Sequence, residues 1–291
     1  MEVKKLKLVQ ELNKVQKLLK PLWRHMYTLW LFTCSDLKAI VVPATIFGMV
    51  TALSGPLLTT IASPDYYAIF CRIPLVILSV WMDLLVQDIS HQRKPASMVE
   101  DAGNKPWRPL PSGRINGEDA RRLLIAAILA SIIKSFILGG TPETVVLFVL
   151  VWIYNDLEGA VSHYLIRNLI NALGISCFSA NAATIATLPA SSTPHYPSVA
   201  PSLHSYIINP TLALATPMSP RFYAWLFLLA LAIFFTISDQ DLQDMPGDAA
   251  KGRPTMPLVA GELVTRWSVA VGVIGASAVC CAFWRKAEYE K

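Results

Sequence analysis

The sequence predicts an all-α fold, a multi-pass bundle of about seven transmembrane helices. Three observations carry that prediction. Hydrophobic residues make up 54% of the 291-residue chain and charged residues 15%, whereas soluble domains carry roughly 25% charged residues; the mean hydropathy is +0.45. The apolar residues gather into uncharged runs at residues 39–62, 222–238 and 267–284, each near the ~20 residues a helix needs to cross the hydrocarbon core. Basic residues fall on alternate linkers, the pattern the positive-inside rule gives a spanning chain.

The elements follow in order. Residues 1–28 form a distinct N-terminal segment in which Lys4, Lys5, Lys7, Lys14, Lys17 and Lys20 accompany Leu8, Leu12, Val15 and Leu19 at helical spacing. That pattern suits an amphipathic helix lying on a lipid bilayer and equally a solvated helix. It lacks the apolar core and small-residue cleavage site of a signal peptide. Ser35 and Asp36 read as the N-cap of the first span, residues 37–54, which Gly55-Pro56 ends. The second span runs from about Tyr66 to Asp88 and contains Asp83, a charge that is costly inside a membrane unless satisfied. A polar loop, residues 91–122, follows. Spans three and four lie near residues 123–133 and 145–154, separated by the tight reversal Gly139-Gly140-Thr141-Pro142. A short polar stretch, 155–163, leads into span five near 169–188. Residues 189–220 are rich in Pro, Ser and Thr and carry no Asp, Glu, Lys or Arg. Span six covers about 221–237, a polar loop 238–266, and span seven ends before Arg285 and Lys286.

Basic residues crowd the N-terminal segment, the 91–122 loop (Arg93, Lys94, Lys105, Arg108, Arg114, Arg121, Arg122) and the 251–266 loop (Lys251, Arg253, Arg266), and are missing from linkers 55–65, 139–143 and 189–220. This places the first group in the cytosol, and counting alternate spans gives the same side. The five cysteines lack metal-ligand spacing, which argues against a zinc site or a disulfide framework.

The chemistry concentrates at two helix ends. Asp241, Asp244 and Asp248 stand at i, i+3 and i+7 and share one helical face. Like charges packed so closely repel, and a divalent cation resolves the repulsion. Mg²⁺ suits the site because it takes a few carboxylate oxygens and leaves positions open for phosphate oxygens. A solvated acidic helix end is the plainer alternative. At the end of span two, Asp88 and Gln92 lie one turn apart, with Glu100 and Asp101 following; alone, this is a weak signal. Three prolines fix the turn from Asn104 to Arg114, which presents Lys105, Arg108 and Arg114 as cations for a bound diphosphate or as ordinary membrane anchors. Tyr154, Asn155 and Asp156 close span four, and Arg167, Asn168 and Asn171 open span five; they face either the diphosphate or one another. Asn181 reads as a bond between helices.

These residues resemble the UbiA superfamily of intramembrane prenyltransferases. The family's D-x-x-D-x-x-G-D motif is matched by Asp241, Asp244, Gly247 and Asp248, its G-R-x-T-x-P stretch by Gly252-Arg253-Pro254-Thr255-Met256-Pro257, and its N-(K/R)-P-x-x-P-x-x-G-R loop by residues 104–114. The first motif, N-D-x-x-D-x-x-x-D, departs: Leu84 and Leu85 replace its opening Asn-Asp and Gln92 its last aspartate. The resemblance implies a UbiA-type transmembrane catalytic domain over residues 29–291, typically of nine helices. It implies Mg²⁺ held by Asp88, Gln92, Asp101, Asp241, Asp244 and Asp248. Lys105, Arg108, Arg114, Tyr154, Asn155, Arg167, Asn168, Lys251 and Arg253 are then implied to bind an isoprenoid diphosphate.

Residues 29–38 with Asp88-Ile89-Ser90-His91-Gln92 look like a fungal branch similar to membrane-bound terpene cyclases of the bergamotene synthase type. The implied reaction is class I cyclisation, with farnesyl diphosphate the favoured substrate and a sesquiterpene the product. Phe178, Trp152, Tyr154, Trp225 and Phe234 are candidate aromatic faces for the carbocation. Transfer of the prenyl group to an acceptor is the alternative, and a transporter built on intramembrane carboxylates a remote one. The expected setting is the endoplasmic reticulum with the site facing the cytosol; nucleic acid and an obligate protein partner are not expected.

Overall fold

The computed structural model describes residue 21 and residues 23–187, 217–250 and 252–289. The lysine-rich start, most of the 189–220 linker and Lys251 lie outside the described residues. Within them the chain is helical, and the β contact found is an isolated bridge between Thr59 and Met218.

Helix α1 (Trp23–Thr33) meets α2 (Leu37–Leu53) at a bend of 66°. The first turns of α2, Leu37–Val41, are wound as a π-helix, a local widening common at functional positions. A short α3 (Tyr66–Cys71), capped by Asp65, precedes α4 (Ile73–Gln92). The second span therefore starts later than the sequence suggests: the chain breaks at Arg72, whose guanidinium donates to Ile185 O at 3.0 Å, and Pro74 opens the new helix. The 91–122 loop contains a helix of its own, α5 (Pro95–Asn104), followed by turns through the prolines. Then come α6 (Gly117–Leu138), α7 (Thr141–Asn155), a single turn α8 (Gly159–Ser162) and α9 (Tyr164–Thr187). After the linker, α10 (Pro220–Thr236) bends by 46° into α11 (Asp239–Ala250). A short α12 (Met256–Ala260) and α13 (Glu262–Tyr289) complete the chain.

Each of the seven expected spans is helical, the second in two pieces, α3 and α4, but fewer satisfy the requirements of a membrane crossing. Among the described residues, α4, α9 and α13 are long and apolar enough alone, and the bent pairs α1–α2 and α10–α11 raise the count to five. α7 is apolar but 15 residues long. α6 carries Glu118, Asp119, Arg121 and Arg122 in its opening turns and Lys134 near its end.

α9 is the hub, packing against α2, α4, α7, α8 and α10. Its buried face is rich in small residues, among them Gly174, Ala180, Ala182, Ala183 and Ala186, which lets backbones approach closely where burial of apolar surface gives no advantage over lipid. Gly48 of α2 meets this face: a Cβ there would stand 2.6 Å from the Ala182 carbonyl carbon. One apolar cluster joins α2, α4, α7 and α9 through Val76, Val80, Leu147, Phe178 and Ile185; a second joins α1, α4 and α6 through Phe32, Val86, Ile89 and Leu124.

The charge inside α4 is satisfied across helices. Asp83, fully buried, accepts two 2.9 Å bonds from Lys134 of α6, one of 2.6 Å from Asn181 of α9 and one of 3.3 Å from Thr144 of α7. Asn181 thus joins helices, as its position suggests. Gly140 makes room for it, since a Cβ at Gly140 would lie 2.0 Å from Asn181 Oδ1.

Candidate functional site

The acidic ends of α4 and α11 open onto one cavity of about 490 Å³. Asp88 and Asp244 both line it, joined by Asp36 from the α1–α2 bend and by Glu100 and Asp101 from α5. Lys105 and Arg108 from the proline turn and Arg253 from beyond α11 supply positive charge, and Tyr154, Asn155, Asn171 and Gln240 complete the polar wall. The rest of the wall is apolar: Ile40, Leu147, Leu150, Val151, Ile170, Ile175 and Ile237. The lining therefore offers charged groups for a polyanion and aliphatic ones for a hydrocarbon.

The connections explain why these side chains converge. Arg108 is 5% exposed and binds both oxygens of Asp101 at 2.9 Å, while its other amino group reaches Asp36 at 3.4 Å. The Asp36 and Asp88 carboxyls act on each other directly, with Arg108 and Lys105 as the cations facing them. Among the described residues, Asp88 Oδ2 is buried without a hydrogen-bond partner. His91 sits one turn on from Asp88, its ring 6.2 Å from that of Tyr154 and its Nδ1 3.2 Å from Asn155 Oδ1. Below α7, Asp156 is bridged by Arg93 at 2.5 Å and Lys94 at 2.7 Å. Partial burial works to raise its carboxyl, but bonds from Lys94 and Arg93 outweigh that and hold it below the usual aspartate range.

Several expected site residues take other places. Gln92, 1% exposed, donates to Phe32 O at 2.8 Å and faces the α1 contact rather than the cavity. Its place in the sequence pattern puts it a turn beyond Asp88, but a neutral amide there can satisfy a buried carbonyl. Arg114 bonds Thr28 Oγ1 and Arg24 O and lies over the Tyr27 ring, tying the proline turn to α1. Arg167 pairs with Asp241 inside the protein, and Asn168 donates to Ser238 Oγ at 2.8 Å. Arg253 keeps its place on the cavity wall while pairing with Asp248 at 3.1 Å. The three aspartates of α11 therefore differ: Asp241 and Asp248 are buried and neutralised by arginines, and Asp244 is exposed toward the cavity. Of the aromatics, Tyr154 lines the cavity. Phe178 is fully buried beside a smaller apolar pocket, Trp152 is half exposed, Trp225 stacks on Phe283, and Phe234 packs edge-on to Phe235. Lys251 lies outside the described residues.

The donor set fits Mg²⁺ accompanied by a phosphate ligand. Among the described residues no group of three acidic, histidine or cysteine side chains is close enough to hold an ion unaided, so an ion here needs oxygens from its substrate, the usual manner of Mg²⁺. Five carboxylates face three cationic side chains around the cavity. That surplus of negative charge would repel a diphosphate arriving alone and suits one arriving with divalent cations.

Comparison with known proteins bears on the family and the fold. The profile of the UbiA prenyltransferase family matches residues 96–287, a region that includes the proline turn and α11 and begins after Asp88. The chain is 29% identical to somaliensene A/B synthase of Streptomyces somaliensis over 87% of its own length and 72% of the relative's. It is 29% identical to polyprenyl transferase eriF of Hericium erinaceus, over 86% and 73%, and 25% identical to fumagillin beta-trans-bergamotene synthase af520 of Aspergillus fumigatus, over 89% and 75%. A solved structure described in work on digeranylgeranylglyceryl phosphate synthase in membranes superposes with a TM-score of 0.51 at 17% identity, covering 86% of this chain and 75% of that one. At that identity the likeness is one of fold.

Proposed function

The chain belongs to the UbiA prenyltransferase family, and from that premise we propose that it is a Mg²⁺-dependent terpene cyclase that ionises an isoprenoid diphosphate, farnesyl diphosphate being favoured. The observation that carries this reading is the shared cavity: Asp88 and Asp244, far apart in sequence, line one space together with cationic and aliphatic side chains. Enzymes of the UbiA class with terpene synthase or prenyltransferase names are its relatives, and both activities begin with the same step. The allylic C–O bond breaks, its electron pair leaves with the diphosphate, and a carbocation remains.

Asp88 and Asp244 would hold Mg²⁺, which when bound neutralises the leaving diphosphate. Lys105, Arg108 and Arg253 stand where negative charge accumulates on the departing oxygens. The aliphatic wall from Leu147 to Ile175 keeps water from the cation, and Tyr154 offers an aromatic face worth roughly 0.5–2 kcal/mol. Ring closure follows when a distal double bond of the same chain donates its π electrons to the cation. Loss of a proton from the neighbouring carbon to the released diphosphate then ends the reaction. The site would face the cytosol: the 91–122 and 251–266 loops carry the basic residues, and both meet at this cavity.

Prenyl transfer to an acceptor is the second reading, favoured by the 29% identity to a polyprenyl transferase. Purified protein given farnesyl diphosphate and Mg²⁺ without any acceptor separates the two. Cyclic hydrocarbon in the extract supports cyclisation. Recovery of intact substrate until an aromatic acceptor is added supports transfer and refutes the cyclase.

A further inference from the structure

The first acidic motif of the family is eroded here, yet the cavity is not short of carboxylate on that side. Asp36 occupies the N-cap position of α2, but its side chain makes no capping bond. An aspartate at an N-cap ordinarily accepts a backbone N–H there. Here its carboxylate turns into the cavity, one oxygen held at 3.4 Å by Arg108. The π-helical turns Leu37–Val41 follow directly, and Ala39 and Ile40 of those turns also line the cavity. Across from it stands Asp88, 95% buried, its Oδ2 without a partner among the described residues. A carboxylate oxygen buried without a donor, opposite a second carboxylate, is a costly arrangement for a protein alone. A cation between them removes the cost.

We propose that Asp36 is a metal-ligating residue of the substrate-bound enzyme, replacing from the α1–α2 bend the carboxylate that Leu85 and Gln92 do not supply on α4. The inference rests on the reading of this cavity as the Mg²⁺–diphosphate site. Asp36 and Asp88 each give an oxygen to an ion that completes its coordination with diphosphate oxygens and water. Arg108 orients Asp36, and its bond to Asp101 fixes Arg108 in turn.

The test measures binding rather than turnover. Full-length protein in lipid nanodiscs is titrated with Mn²⁺ in the presence of inorganic pyrophosphate, and free Mn²⁺ is read by electron paramagnetic resonance. Parallel titrations use Asp36→Asn, Asp36→Glu, Asp88→Asn and, as a control far from the cavity, Glu118→Gln. We expect Asp36→Asn to weaken Mn²⁺ binding by at least about tenfold, the lower range for disturbing a metal ligand's surroundings. Asp36→Glu should restore part of the affinity, and Glu118→Gln should match the parent. A role confined to orienting Arg108 would weaken metal-free pyrophosphate binding to the same extent, so equal losses with and without Mn²⁺ overturn the proposal. Parent-like Mn²⁺ affinity in Asp36→Asn beside a loss in Asp88→Asn overturns it too, while leaving the cavity assignment intact. Mn²⁺ binding insensitive to both aspartates refutes the cavity assignment and the proposal together. Asp36 is one third exposed, so its neutralisation leaves folding measurable by thermal unfolding, and an unfolded Asp36→Asn would itself contradict a ligand role.

Discussion

Replacing Lys134 with methionine tests how the bundle tolerates a charge in the middle of α4. Asp83 is fully buried and Lys134 5% exposed in its side chain, joined by two bonds of 2.9 Å. Removing one partner of a buried pair costs roughly 3–5 kcal/mol. Two features of this site narrow the range. Asn181 and Thr144 still donate to Asp83 Oδ2 in the variant, so the carboxylate keeps part of its solvation. It can also take up a proton instead of remaining charged; from the ordinary aspartate value near 3.9 to neutral pH that costs about 4 kcal/mol, which is a ceiling. Lys134→Met is therefore expected to lose about 3–4 kcal/mol at neutral pH. The double variant Asp83→Leu with Lys134→Met removes both charges and should stand near or above the parent. Reversible unfolding by sodium dodecyl sulfate in bicelles, followed by helical circular dichroism at neutral pH, measures all three. Equal losses in the single and double variants, or a single-variant loss under about 1 kcal/mol, would refute the argument that the pair is held as opposite charges.

The remaining expectations follow from single contacts. Gly48→Ala forces α2 away from α9, because the new Cβ would lie 2.6 Å from backbone; it should cost about 1–3 kcal/mol, whereas Gly103→Ala, with open space around it, should be neutral or stabilising in the same unfolding assay. Asp244→Ala should lower Mg²⁺-dependent diphosphate release by about 100-fold or more, read as pyrophosphate formed from farnesyl diphosphate, while thermal unfolding stays close to the parent because Asp244 is exposed. Asp156, held below its usual range mainly against a burial penalty by Lys94 and Arg93, contributes stability that is present above the unfolded aspartate value and lost as pH falls through the folded one. Asp156→Asn should flatten that acid limb by roughly 0.2–1 kcal/mol, the range for partly exposed pairs.

The bundle was legible because membrane helices advertise themselves locally. Uncharged runs, the Gly139-Gly140 reversal and the alternation of basic linkers are all read within a few dozen residues, and each expected span is helical, the second in two pieces. The break at Arg72 was not legible, because it answers to a partner elsewhere, Ile185 in α9; α5 lies in a stretch whose charges and prolines read as loop. Asp36 escaped for the same reason as Arg72. Its sequence context is that of an ordinary helix cap, and the Arg108 that redirects it stands 72 residues later. Gln92 shows the converse error, in which a position one turn from Asp88 suggests a shared face while the bond that decides its direction goes to Phe32 O on α1.

The acidic helix α11 shows how far spacing alone carries an argument about charge. Three aspartates on one face demand neutralisation, and a metal is one answer. The fold supplies another for two of them: Arg167 from α9 closes on Asp241, and Arg253 closes on Asp248. Asp244 remains, flanked by two neutralised neighbours and facing the cavity. The carboxylates available to a cation therefore come from separate elements, Asp36 at the α1–α2 bend, Asp88 on α4 and Asp244 on α11, and their spacing is a property of helix packing rather than of any one motif. α9 sets that spacing, because α2, α4 and α10 all rest on its small-residue face. A change such as Gly48→Ala, which widens the α2–α9 approach, thus moves Asp36 relative to Asp88 and should weaken Mn²⁺–pyrophosphate binding even where the helix itself stays folded.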